Sequence, residues 1–317
     1  MSEKSCNPTY EPLIRDLALK YLSLPDCRLI AIPTYPDTIV YEIATDTSAF
    51  IFKSIDPQTR DPDGIAAEAW VLNHRKAQGV PVPQVLFADA SKQIFPSAYF
   101  IMEKAKGQPL SSLALKSEEK QPYFCQLGEA LRRLHSVELP GFGWLDEQLY
   151  REQGKVRGLY PSWKQALLDL VPASIHYFTT QDLLSPADVS MIEYIVERIQ
   201  AHLESITSGV LLHGDLSPLH IWVDPTSQML TSILDFGERM VGDPLWDFVD
   251  YDWDDVSAVW SACTLDTDPS PIFGATFYTY ALLRAIPWAH KWHSRGAIQV
   301  LDWLKITLTR ARQAVRD

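Results

Sequence analysis

Leu211-Leu212-His213-Gly214-Asp215-Leu216-Ser217-Pro218-Leu219-His220, then Ile233-Leu234-Asp235-Phe236-Gly237, then Gly242-Asp243-Pro244-Leu245-Trp246-Asp247 is the stretch that decides how this chain is read. The runs 209–212, 221–224 and 230–234 around it are short, apolar and bounded by turn residues, so each reads as a β-strand. That reading puts Asp215 and His220 at strand ends and Asp235 at the close of the last strand. Two acids and an imidazole are thus presented on turns rather than buried in elements.

In-line movement of a γ-phosphoryl group needs an acceptor hydroxyl, a carboxylate to take its proton, and metal ions to offset charge on the phosphate oxygens. A loop Asp, a ligand five residues on and a second Asp at a later strand end supply that set. Protein kinases use His-x-Asp-Leu-x-x-x-Asn followed by Asp-Phe-Gly. Asp215, Leu216 and Asp235-Phe236-Gly237 fit this pattern, and His220 stands where Asn is expected.

The wording His-Gly-Asp-Leu-Ser-Pro, with Gly-Asp-Pro-x-x-Asp soon after Asp-Phe-Gly, resembles the aminoglycoside phosphotransferase family of small-molecule kinases. The resemblance covers nearly the whole chain and implies an α+β, protein-kinase-like two-lobed fold. The small lobe is an antiparallel β-sheet plus helix, and the large lobe is mostly helical. It also implies ATP as phosphate donor, with GTP as the alternative, and transfer to a hydroxyl of a small molecule. By the same resemblance Asp215 is the catalytic base, His220 and Asp235 bind Mg²⁺ or Mn²⁺, and His213, Asp243 and Asp247 brace the loop. Imidazole suits Mn²⁺ better than Mg²⁺, so His220 either touches the metal or donates to a metal-bound water or phosphate oxygen. A packed histidine with a satisfied ring is the plainer reading.

Residues 1–105 read as the smaller, nucleotide-binding lobe and 106–317 as the catalytic and substrate-binding lobe. A helix ending at Pro25-Asp26 precedes strands over 28–32, 38–44 and 49–55, a helix over 65–78, and strands over 84–88 and 98–103. Lys53 is the one charge in the strand Phe50-Ile-Phe-Lys-Ser-Ile55, and Glu68 lies on the helix after it. A kinase-like fold uses such a pair, Lys on the α/β-phosphates and Glu fixing the Lys; a snorkelling Lys and a solvated Glu are the alternatives. Between the first two strands Pro33-Thr34-Tyr35-Pro36-Asp37 stands where a glycine-rich phosphate loop is expected, and it holds no Gly. Tyr99 to Leu110 resembles the family's hinge, turning at Gly107. There the Glu103 carbonyl and the Ala105 N–H would read adenine, with Met102 at the back of the pocket.

In the larger lobe Ser117 reads as an N-cap, Phe124, Leu127, Leu131 and Leu134 as an apolar stripe, and Ser185-Pro-Ala-Asp188 as a capped helix start. Helices over 272–290 and 297–314 finish the chain. Asp250, Asp252 and Asp254, with Asp255, form a cluster that could hold a cationic acceptor; a solvated helix face is the alternative. Trp246, Trp253 and Trp260 recur every seven residues, which suits a helical core stripe. His135, His290 and His293 fall in no metal-binding spacing and read as structural or solvent-facing.

Forty acidic against 28 basic side chains, a formal charge of −12, make a poor match to nucleic-acid phosphates and favour a cationic or neutral acceptor. No run of about 18 uncharged apolar residues and no export signal appears, so no membrane is implied and the cytoplasm is the expected compartment. Cys6, Cys27, Cys125 and Cys263 are too scattered for a disulfide framework or zinc site. Few residues separate Gly237 from Gly242, which leaves little room for a peptide-binding activation segment and argues against a protein kinase. The remaining alternative is a nucleotide-binding pseudokinase acting as an interaction module, which the glycine-free loop and His220 would suit.

Overall fold

The computed structural model describes residues 10–34, 37–58, 64–169, 171–249, 256–265 and 274–316. They pack as two compact units, each discontinuous in sequence. One takes Met1–Leu113, Asp146–Val156 and Pro218–Gly237; the other takes Ala114–Leu145, Arg157–Ser217 and Glu238–Asp317. The fold class is α+β of the two-lobed protein-kinase type, an antiparallel sheet toward the N-terminus and helices toward the C-terminus.

In the first unit five strands, β1 Arg28–Ala31, β2 Thr38–Ala44, β3 Ala49–Ile55, β4 Val85–Asp89 and β5 Tyr99–Glu103, form an antiparallel sheet in the order β1-β2-β3-β5-β4. Successive side chains of a strand point to opposite faces. One face carries Ile39, Tyr41, Ile43, Phe52 and Ile101, which pack with Ile14, Leu17 and Ala18 of helix α1 Glu11–Leu22 into a dry core. Alternation then turns Lys53 the other way, toward helix α2 Ala66–Ala77. Phe52 is fully buried, so Phe52→Ala should cost about 3–5 kcal/mol. Helix α1 ends on Ser23, whose left-handed φ of 57° turns the chain two residues before Pro25.

A second sheet of this unit joins strand Gln108–Pro109 to the hairpin Ile221–Asp224 and Met229–Ile233. Gly107 has φ +83°, and a Cβ there would collide with the Val223 carbonyl, so glycine is required at this turn.

The other unit is built on helix α3 Ser117–Leu134, packed on helix Val256–Thr264, and on the pair Ala275–His293 and Val300–Ala314. Leu127, Leu131 and Leu134 are fully buried along α3, as the stripe requires. Ser117 is the first helical residue rather than the N-cap, because Glu119 reaches back to accept the Lys116 N–H at 2.8 Å. Ser185 does cap its helix, exchanging bonds with Asp188. This unit also holds a five-stranded sheet of two- to four-residue strands, including Gly209–Leu212 and Met240–Gly242. Sequence reading misses most of these because so few residues carry no period. Trp246 lies in the 3-10 turn Pro244–Phe248 and Trp260 in helix Val256–Thr264, so these two do not share one helical stripe; Trp253 lies outside the described residues. Among the described residues no helix is long and apolar enough to cross a membrane.

Candidate active site

The first unit gathers four of the expected side chains. Strand β3 aims Lys53 away from the core, and its Nζ donates to Glu68 Oε1 at 2.7 Å and to Asp235 Oδ1 at 3.0 Å. Glu68 is almost wholly buried, so the Lys53 partnership supplies the counter-charge its burial demands. Burial works against the Lys53 charge, but the pull of Asp235 and Glu68, with hydrogen bonds to both, holds its pKa well above the ordinary lysine value. Lys53 is a fixed cation, and neither the snorkelling nor the solvated reading describes this pair.

Hairpin register brings the other two together. Ile221 pairs with Ile233, and the Leu234 N–H donates to the His220 carbonyl at 2.8 Å, so His220 and Asp235 flank the same hairpin end. His220 Nε2 stands 3.7 Å from Asp235 Oδ2. Asp235 holds φ at +62°, a left-handed setting uncommon outside glycine and most tolerated by Asn and Asp. The backbone there is set against local preference, as functional turns often are.

The hinge residues close strand β5. Met102 is half-buried, Glu103 exposed, and Ala105 half-buried just past the strand. The Glu103 N–H donates to the Gln84 carbonyl at 3.0 Å, while the Lys104 ammonium meets Glu42 at 2.8 Å. Of the glycine-free loop, residues 35 and 36 lie outside the described residues.

The second unit carries Asp215 and its supports. Gly214 has φ +81°, and a Cβ on it would run into the Glu238 carbonyl, so the His213-Gly214-Asp215 turn admits only glycine at its centre. Asp247, wholly buried, accepts the His213 N–H at 2.9 Å and the Gly214 N–H at 2.8 Å. The Asp215 N–H in turn donates to His213 Nδ1 at 3.2 Å. Behind Asp247 stands His135, whose Nε2 lies 2.9 Å from Asp247 Oδ2. Burial opposes the His135 charge, yet hydrogen bonding to Asp247 and Cys263 lifts its pKa to about 9. For Asp247, burial pushes upward and is outweighed by His135, leaving the carboxyl below its ordinary value. A buried imidazolium–carboxylate pair therefore anchors the turn. His135 is structural, as its lack of metal spacing suggests, but it is not solvent-facing.

Asp243 is anchored independently. Its Oδ2 accepts the Tyr280 hydroxyl at 2.8 Å and meets His202 Nε2 at 3.0 Å, while Oδ1 accepts the Leu245 N–H at 3.0 Å. Asp250, Asp252, Asp254 and Asp255 lie outside the described residues.

Four participants were not legible in the motifs: His135 behind Asp247, His202 and Tyr280 on Asp243, and Arg284 of helix Ala275–His293, whose Nη2 donates to Asp215 Oδ1 at 2.9 Å and whose Nη1 donates to the Gly214 carbonyl. For Arg284 the available signal was a lone charge inside Ala281-Leu-Leu-Arg-Ala-Ile286, with nothing in sequence to name its partner.

Comparison with known proteins gives the family and the fold. The sequence model of the phosphotransferase enzyme family matches residues 37–285, most of the chain, and the protein belongs to that family. Among solved structures it is similar to a thermostable mutant of aminoglycoside phosphotransferase APH(4)-Ia in its apo form, at 16% identity and TM-score 0.69, covering 96% of this chain and 98% of that one. The ternary complex of such a mutant with AMP-PNP and hygromycin B matches at 16% identity and TM-score 0.68 over 95% and 97% of the two chains. The complex of APH(2")-IIIa with GDP and kanamycin matches at 18% identity and TM-score 0.64, again over 95% and 97%. No curated protein matches the sequence.

Proposed function

We propose that the protein is an ATP-dependent phosphotransferase that moves the γ-phosphate to a hydroxyl of a small cationic or neutral acceptor. The observation that carries the reading is Lys53 bonded at once to Glu68 and Asp235, a cation fixed by one acid and shared with another that lies 3.7 Å from His220. In a fold of this class that arrangement serves triphosphate binding. The Lys53 ammonium takes the α/β-phosphates, and the Glu103 carbonyl and Ala105 N–H read the base beside Met102. Neighbouring structures hold AMP-PNP in one case and GDP in another, which supports a purine nucleotide donor and keeps GTP beside ATP.

The carboxylate of Asp235 and the imidazole of His220 suit a divalent cation, Mg²⁺ or Mn²⁺. Among the described residues no group of three or more His, Cys, Asp or Glu side chains could hold a metal ion by itself. In kinases Mg²⁺ usually takes phosphate oxygens and water as further ligands. Such an ion, when bound, offsets charge on the phosphate oxygens. Asp215 accepts the acceptor's hydroxyl proton as the new O–P bond forms and the bond from the γ-phosphorus to the bridging oxygen breaks, its electron pair leaving on ADP. His213, Asp243 and Asp247 support the loop. Hygromycin B and kanamycin in the neighbours support an aminoglycoside-like acceptor; a macrolide-like compound or a metabolite alcohol fits the same chemistry. The non-enzymatic alternative is disfavoured, because Lys53, Glu68, Asp235 and Asp215 are all present and the first three are bonded together.

The test is ADP release from MgATP and MgGTP against pooled hydroxyl compounds. Asp215→Asn should cut turnover to a small residual rate and leave nucleotide binding intact. Retained turnover removes Asp215 from its role.

A further inference from the structure

Arg284 lies outside the motifs around Asp215, Asp235 and Asp243, yet it contacts the proposed base directly. One guanidinium nitrogen, Nη2, donates to Asp215 Oδ1 at 2.9 Å and the other, Nη1, to the carbonyl of Gly214. A planar fork that grips the backbone of one residue and the carboxylate of the next fixes the carboxylate's rotation relative to its own main chain. The Arg284 side chain is the more covered partner, 11% exposed against 27% for Asp215. Its guanidinium carbon lies 5.8 Å from the centre of the buried Trp246 ring. One helical turn earlier, Tyr280 is tied to Asp243, so the same helix face holds both the Asp215 turn and the Gly-Asp-Pro-x-x-Asp segment.

We propose that Arg284 is the positioning residue for Asp215, holding Oδ1 so that Oδ2 meets the acceptor hydroxyl and receives its proton. The inference rests on Asp215 being the base. Lysine cannot replace Arg284 fully, since one ammonium on a flexible stem cannot hold the carbonyl and the carboxylate in a fixed plane.

The test compares wild type, Arg284→Gln, Arg284→Lys, Asp215→Asn and the Asp215→Asn/Arg284→Gln double variant. ADP release from MgATP is measured with water as acceptor and with the pooled hydroxyl compounds. Arg284→Gln should lower kcat by roughly 100-fold with KM for ATP within about threefold, the loss expected for a base misplaced by about an ångström. Arg284→Lys should regain only a minor part. In the Asp215→Asn background the same change should alter the residual rate by less than about twofold, since residues acting as a unit are not additive. A near-normal kcat in Arg284→Gln, or an equal loss in both backgrounds, overturns the proposal.

Urea midpoints of the same variants are read without any turnover. Asp215→Asn should raise the midpoint in the Arg284→Gln background, where it removes a carboxylate that has lost the Arg284 guanidinium, and not in wild type. Equal shifts in both backgrounds overturn the pairing. If wild type does not turn over while the midpoints show coupling, it is the kinase reading that fails and the Arg284 contact that stands.

Discussion

Replacing His135 by Gln removes the cation facing Asp247 and leaves a wholly buried carboxylate holding two backbone N–H groups of the Asp215 turn. The His135 pKa rises from 6.5 to about 9 in the folded protein, against the cost of burial and through its bond to Asp247. A group whose folded pKa lies above its unfolded one contributes stability that is complete below the unfolded value and is lost as pH climbs through the folded value. The contribution is therefore full below about pH 6.5, fades toward pH 9 and is gone above it, an amplitude of roughly 3 kcal/mol. From the carboxylate's side the same pair is lost only in acid, as pH falls through the depressed Asp247 value. Urea unfolding of wild type and His135→Gln, followed by tryptophan fluorescence, reads the effect because titrations of groups not in contact with His135 cancel in the difference. We expect a gap of about 3–5 kcal/mol near pH 6, the cost of breaking a buried pair, shrinking to about 1 kcal/mol near pH 9.5, where only the hydrogen bond from a neutral imidazole remains to lose. A gap constant across that range refutes the reasoning, since it would mean that His135 is never the cation.

Lys53→Met should destabilise the fold by about 3 kcal/mol through the unpaired Glu68 and should cost more than about 100-fold in turnover. Adding Glu68→Gln should restore stability but not turnover, measured by urea melts and ADP release; recovery of both would make the pair structural only. Gly214→Ala should lose more than about 1 kcal/mol and drop turnover toward the Asp215→Asn level, because strained φ and the Glu238 carbonyl both oppose a Cβ. Near-normal rates in that variant would count against the turn geometry. His220→Asn should keep activity and shift metal preference toward Mg²⁺, read as the ratio of Mn²⁺- to Mg²⁺-supported rates; an unchanged ratio argues against direct ligation.

The motif residues were legible in sequence because each is tied to a turn whose composition is itself a signal. Gly214 must be glycine, the strands on either side are apolar and short, and Asp235 follows a hairpin whose length is readable. Strands β2 and β3 and helix α2 were legible for the same reason, since alternation and helical period survive over 7 to 12 residues. The strands of two to four residues in the second unit were not, because pairing with distant segments defines them and no local pattern does.

By itself the sequence determined the phosphotransferase family and which acids, lysine and histidine are candidates for its chemistry. These are properties of residue type and spacing along the chain. Only the tertiary structure decided the partners: that Lys53 holds Glu68 and Asp235 together, that His135 stands behind Asp247, and that Arg284 grips Asp215. A charged side chain reads the same in sequence whether it is solvated or paired. Burial, which makes an unpaired charge costly, comes only from contacts between residues far apart in the chain.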